Sequence, residues 1–324
     1  MLTSFPFNNG HVQTILPALL RRGPAVGYAR ERIWTSDNDF LDLDWSRQGN
    51  SRVAVVLHGL EGSSTRAYVR GMVHALNEHG WDCVAMNFRG CSGEPNQKLS
   101  MYHSGLTEDL DTVLRHVQSR ERYAGIALVG FSMGANQILK YLGEAPDRVP
   151  EQVVGACAIS VPCDLEGAAH ALARPANSMY MHYFLRSLRQ KIRQKAAMFP
   201  GALDTDGLDE VRTFAEFDDR YTAPMHGFAN ALDYWRKSSS LQVLGNIDRP
   251  SFVLNAADDP FLSPGCFPFR DVEQNPFLHL EVPATGGHCG FLSLSRNGLY
   301  FLEQRVLAFL DRVDSSSVPR EIYE

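Results

Sequence analysis

The sequence predicts an α/β fold: a mostly parallel central sheet covered by helices on both faces, with an inserted helical lid. Three observations carry that expectation. Short apolar runs at 53–57, 83–88, 126–129 and 153–160 have the length of strands buried on both faces. Segments of helical period alternate with them, as in sheets whose crossovers are helices. The alternation stops after Val161-Pro162 and returns only at 251–255, so 164–245 reads as an insertion.

Taken in order, residues 1–30 read as loop-rich, with an apolar patch at 15–20. Residues 31–46 read as two strands around the turn Ser36-Asp37-Asn38-Asp39, because Leu41, Leu43 and Trp45 alternate with Asp42 and Asp44. A strand at 53–57, a helix at 65–79 and a strand at 83–88 follow. Leu106, Leu110, Val113, Leu114 and Val117 then repeat at helical spacing. A strand at 126–129, a helix at 133–142 and a strand at 153–160 close the first half. Residues 164–245 are helix-like, polar and aromatic, and a lid over the strand ends is their natural role, since open sheets bind ligands there. The basic run 186–195 reads as a solvated helix face. Strands return at 251–255 and 278–282, a last helix covers roughly 296–312, and the tail from Asp314 is expected to fray. The expected division is therefore 1–163 with 246–324 as core, and 164–245 as lid.

The 324 residues carry 31 basic and 37 acidic side chains, a net charge of −6, which argues against a nucleic-acid partner. At 44% apolar and 21% charged, the composition is that of a globular chain rather than a disordered one. No apolar run approaches the roughly 20 residues of a membrane span, and the start of the chain lacks the pattern of a signal peptide. The six cysteines are scattered without a Cys-x-x-Cys pair, so free thiols and a cytoplasmic location are expected. His74 and His79 miss the zinc spacing, and neither a metal nor an organic cofactor is expected.

Gly130-Phe131-Ser132-Met133-Gly134 lies between an expected strand and an expected helix. That is the setting in which a serine is lifted above a sheet on a sharp turn, with flanking glycines avoiding collisions. A serine hydroxyl needs a base to take its proton. His288, within Gly286-Gly287-His288-Cys289-Gly290 after the last strand, is the candidate, and the glycines suggest a mobile, exposed loop. A carboxylate should orient the imidazole. Asp258 and Asp259 both follow the strand at 251–255; Asp259 is favoured, with Asp258 as a cap or loop acceptor. Oxyanion donors are expected at the backbone N–H groups of Met133 and of Leu60, in His58-Gly59-Leu60-Glu61-Gly62. His58 is expected to order that loop.

These residues resemble the α/β-hydrolase superfamily and, within it, the bacterial YheT-like esterases, whose eukaryotic relatives are lipid-active. The likeness rests on Gly10-His11-Val12-Gln13-Thr14, on the His58 loop, and on Asn87-Phe88-Arg89-Gly90-Cys91-Ser92-Gly93-Glu94-Pro95-Asn96. Tyr102-His103-Ser104-Gly105, Glu216-Phe217-Asp218-Asp219 with Thr222-Ala223, and Asp258-Asp259-Pro260-Phe261 extend it over nearly the whole chain. It implies a cofactor-independent serine hydrolase with Ser132, Asp259 and His288 as triad, in a wider family that acts on short-chain esters, acylglycerols or phospholipids; short-chain esters or acylglycerol-type lipids are the expected substrates. Thioester hydrolysis, acyl transfer to an alcohol, or a non-catalytic binding module remain alternatives on the same fold. Arg89 is expected in a buried ion pair with Asp218 or Asp219, and His103 as a cap of a helix starting near Ser104. Phe214, Phe217, Tyr221, Phe228, Tyr234 and Trp235 are candidates to line an acyl pocket. Oligomeric state is not legible.

Overall fold

The computed structural model describes residues 6–120, 122–293 and 299–316. Helix α1 (Gly10–Leu20) leads into a hairpin of β1 (Ala29–Trp34) and β2 (Phe40–Ser46). Then come β3 (Arg52–Leu57), α2 (Ala67–Glu78), β4 (Asp82–Asn87), α3 (Thr107–Gln118), β5 (Gly125–Phe131), α4 (Met133–Glu144) and β6 (Val153–Ile159). The stretch between β6 and the next strand holds α5 (Leu165–Leu172), α6 (Ser178–Met198), α7 (Phe214–Phe217), a π-helical turn (Asp218–Thr222), α8 (Ala223–His226) and α9 (Ala231–Ser238). No strand occurs in it. The chain closes with β7 (Ser251–Leu254), α10 (Phe269–Gln274), β8 (Leu278–Glu281) and α11 (Phe301–Ser316).

The strands form one eight-stranded sheet in the order β1-β2-β4-β3-β5-β6-β7-β8, parallel from β4 onward. Its thickness follows from the side-chain period of two. Val53, Val55 and Leu57 of β3 join one apolar cluster with Leu110 and Leu114 of α3 and Ile138 and Leu142 of α4. Ala54 and Val56 join the opposite cluster with Met72 and Leu76 of α2 and Leu302 and Leu310 of α11. A run apolar at every position is thus covered on both faces. In the hairpin, Arg30 faces Asp44 and Arg32 faces Asp42 across the register, and each pair closes at 2.8 Å. That pairing lets two aspartates lie buried in β2.

Several expectations change. The stretch expected as loop is a helix from Gly10, started by Asn9, whose side chain accepts from the His11 and Val12 N–H groups. Its apolar residues wrap nearly all the way round, so no amphipathic stripe marks it. The last helix begins at Phe301; residues 294–298 and 317–324, which include part of its expected start and most of the expected frayed tail, lie outside the described residues. Arg89 does not pair with Asp218 or Asp219. It forms two bonds to Asp109, at 2.7 and 2.8 Å, two to Asp37, at 2.6 and 3.3 Å, and one to Asp39 at 3.4 Å. The hairpin turn and α3 reach it first, because both pack beside the end of β4. The basic face of α6 is only partly solvated. Lys191 meets Glu61 at 2.9 Å, Arg189 donates to the Val211 carbonyl, and Lys195 donates to the Asn96 carbonyl at 2.7 Å and to that of Lys98. The inserted helix is thereby pinned to the loops after β3 and β4.

Candidate active site

Ser132 sits between β5 and α4 with φ 53° and ψ −118°, a backbone region that L-residues occupy at a cost. Its N–H donates to the Ile159 carbonyl at 2.8 Å. The flanking glycines are required by space: a Cβ on Gly130 would fall 2.6 Å from the Ala135 nitrogen, and one on Gly134 2.6 Å from the His58 carbonyl. The turn places the Ser132 Oγ 2.8 Å from His288 Nε2. His288 Nδ1 is 2.8 Å from Asp259 Oδ2. With Nδ1–H donating to the carboxylate, Nε2 is the acceptor for the serine proton.

The two aspartates make different contacts. Asp259 is fully buried at its side chain, and its second oxygen accepts from the Phe261 N–H at 2.9 Å. Asp258 faces the same loop one residue away, where it accepts from the Gly287 N–H at 2.9 Å and so ties the loop down. Burial raises its carboxyl above the usual range.

The histidine loop is packed rather than exposed, contrary to expectation; the His288 side chain is only 10% accessible. The cause is α1. Thr14 Oγ1 accepts from the His288 N–H at 2.9 Å and donates to the Gly10 carbonyl at 2.6 Å. Gln13 Oε1 accepts from the Leu292 N–H at 2.8 Å. A Cβ on Gly290 would lie 1.7 Å from the Gln13 carbonyl, so the glycine serves close approach, not mobility. On the other side Phe261 stacks on His288 at 4.1 Å, and Ser160 Oγ accepts from the Cys289 N–H at 2.9 Å. Sequence reasoning missed Thr14, Gln13 and Ser160. In the sequence, Gly10-His11-Val12-Gln13-Thr14 stands out only as a string of family likeness.

The loop after β3 approaches Ser132 so closely that a Cβ on Gly59 would lie 3.2 Å from the serine Cβ. Its N–H groups are nearly all taken. That of Gly59 goes to the Tyr68 hydroxyl at 3.0 Å, that of Glu61 to the Tyr102 hydroxyl at 3.1 Å, and that of Gly62 to the Gly59 carbonyl at 3.0 Å. Among the described residues the N–H groups of Leu60 and Met133 have no protein acceptor, and both residues border the same cavity as Ser132. His58 Nδ1–H donates to the Gly59 carbonyl at 2.7 Å and Nε2 accepts from the Phe88 N–H at 3.3 Å. Burial pulls its pKa down to about 4, so it orders the loop as a neutral ring. Glu61, at φ 55°, is held by Lys191, Ser187 and Tyr102, and Lys191 also reaches Cys91 Sγ at 3.0 Å. This buried network joins α6 to the loop that bears Leu60. All six cysteines are free thiols.

Ser132 opens onto a cavity of about 120 Å³ walled by both the sheet ends and the inserted helices. Of the six aromatic candidates, Phe214, Phe217, Tyr234 and Trp235 line it. Tyr221 instead packs in the core of the insertion, with its hydroxyl on the Asp204 carbonyl, and Phe228 packs behind against His103 and Tyr234. His103 Nδ1 accepts from the Gly105 N–H at 3.1 Å, ahead of a helix that starts at Thr107. One charged residue type enters this wall: Asp218, whose oxygens accept from Thr222 at 2.6 Å and Trp235 Nε1 at 2.8 Å. Burial pushes its carboxyl up to about 7.

Residues 53–293 match the family described as alpha/beta hydrolase fold. The chain is 38% identical over 88% of its length to "Putative esterase YheT" of Escherichia coli (strain K12), covering 85% of that protein. It is 33% identical over 93% of its length to "Phospholipase ABHD3" of Mus musculus, covering 74% of it. "Monoacylglycerol lipase" of Saccharomyces cerevisiae (strain ATCC 204508 / S288c) is 31% identical over 87% of this chain and 63% of its own. Among solved structures, the Pyrococcus furiosus esterase Pf2001 superposes with a TM-score of 0.60 at 20% identity, over 90% of this chain and 96% of that one. No described helix is long and apolar enough to cross a membrane.

Proposed function

The chain belongs to the alpha/beta hydrolase fold family, and from that premise we propose that it is a serine esterase working through an acyl-enzyme on Ser132. One observation carries the reading: the unbroken hydrogen-bonded series from Ser132 through His288 to Asp259, ending at the mouth of an apolar cavity. His288 Nε2 takes the Ser132 proton as Oγ attacks the ester carbonyl. The oxyanion is held by the Leu60 and Met133 N–H groups, and such a donor is worth about 3–4 kcal/mol. Asp259 keeps Nδ1 protonated and stabilises the imidazolium. The imidazolium then gives its proton to the leaving alcohol, and water repeats the sequence on the acyl-enzyme to release the acid.

The apolar wall favours an acyl chain, which suits short-chain esters or acylglycerol-type lipids; the lipase and phospholipase names of relatives point the same way. Residues 164–245 act as the lid, since α5, α6, α7 and α9 all contribute to that wall. The test is a fluorophosphonate probe. It is expected to label Ser132 stoichiometrically, with labelling lost in Ser132→Ala. Folded wild-type protein that stays unlabelled would favour a binding module instead.

The brace from α1 makes a separate prediction. Thr14→Val is isosteric but leaves the His288 N–H without its acceptor, at a cost of roughly 1–3 kcal/mol. A shift of the imidazole from attack geometry should lower kcat on p-nitrophenyl butyrate by about tenfold to a hundredfold, with KM little changed. Unaltered kcat would show that the loop is positioned by other contacts.

A further inference from the structure

A second concavity, independent of the triad, lies on the outer side of α6. It is a groove of about 560 Å³ bordered by the end of α5, the residues after it, the first half of α6 and Arg212. Its lining contains Arg174, Arg189, Arg212 and His182 and no acidic residue, in a chain whose net charge is −6. Arg174 and Arg212 are exposed, and among the described residues neither side chain has an anionic partner. Arg189 is different: it is 8% accessible, donates one Nη to the Val211 carbonyl, and keeps a buried Nε–H with no acceptor. A buried guanidinium N–H left unpaired is costly unless something fills its place.

Nearby carboxylates are already engaged. Asp209, close enough to feel Arg189 and Arg212, is bonded to Arg193 at 2.5 Å. Glu216 accepts from the Arg212 backbone N–H at 2.6 Å. Apart from Ser178, the rest of the lining is apolar. Met179 is exposed in it, and Leu172 forms a wall common to the groove and the Ser132 cavity.

We infer that this groove binds a phosphate-bearing amphiphile, with the phosphate among Arg174, Arg189 and Arg212 and the apolar tail along Met179 and Leu172. Three guanidinium groups present planar N–H donors that match phosphate oxygens in pairs. The apolar floor separates such a ligand from a bare ion.

Calorimetric titration of the full chain tests this with hexyl phosphate, hexyltrimethylammonium and inorganic phosphate. None of them contains a carboxylic ester, so the outcome does not depend on Ser132 chemistry. Hexyl phosphate is expected to bind more tightly than inorganic phosphate and to weaken with salt. The double variant Arg174→Ala, Arg212→Ala, at two exposed positions, should weaken it at least tenfold while p-nitrophenyl ester turnover stays unchanged. Inorganic phosphate binding as tightly as hexyl phosphate would overturn the amphiphile and leave free phosphate as the ligand. Equal binding of the ammonium probe, or an unchanged affinity in the double variant, would overturn the site.

Discussion

Ser132→Ala is expected to lower kcat for p-nitrophenyl esters by about 10⁶-fold, the scale seen when a triad nucleophile is removed. KM and the thermal midpoint should stay close to wild type. The reason is local. Ser132 Oγ bonds only to His288 Nε2 among the described residues, so its loss deletes the bond-forming atom and little packing. The strained backbone is kept by Gly130 and Gly134, which the substitution leaves alone. A residual rate from the Leu60 and Met133 donors and from binding should persist above that in water. Steady-state kinetics with thermal melts checks both halves. Retention of more than a few per cent of kcat would end the assignment of Ser132 as nucleophile.

The second large effect separates two neighbouring carboxylates. Asp259→Asn is expected to cost about 10⁴-fold in kcat, because an amide at that position favours the wrong imidazole tautomer and cannot stabilise the imidazolium. Asp258→Asn should cost about tenfold at most, since an amide oxygen can still accept from the Gly287 N–H. The pair is informative because both side chains sit on one turn and both face the histidine loop. Measuring kcat for the two variants side by side decides the matter. If Asp258→Asn were the damaging change, the roles would be exchanged.

What was legible in the sequence follows a physical pattern. Ser132 stands out as a candidate because a sharp strand-to-helix turn demands glycines at fixed offsets, and such demands are local. His288 stands out as a candidate because it follows the last strand, and chain order survives folding. The glycines around it suggest freedom in the sequence, but in the fold they provide clearance. Gly290 has no room for a Cβ beside the Gln13 carbonyl, a contact made by a residue more than 270 positions earlier. The same limit hid the partners of Arg89. Asp37 and Asp109 lie far along the chain on either side of it, and spacing does not reveal which carboxylate arrives.

By itself, the sequence determined the sheet and its covering layers, because apolar runs at every position can be buried only between two helix layers. It also singled out Ser132, His288 and the pair Asp258 and Asp259 as candidates. The tertiary structure decided which aspartate meets the imidazole, that α1 braces the histidine loop, and that half of a basic helix is buried against carbonyls and a glutamate. A charge or an apolar residue reads the same in sequence whether it faces water or a partner. Only the packing of distant segments fixes its surroundings, and with them its role.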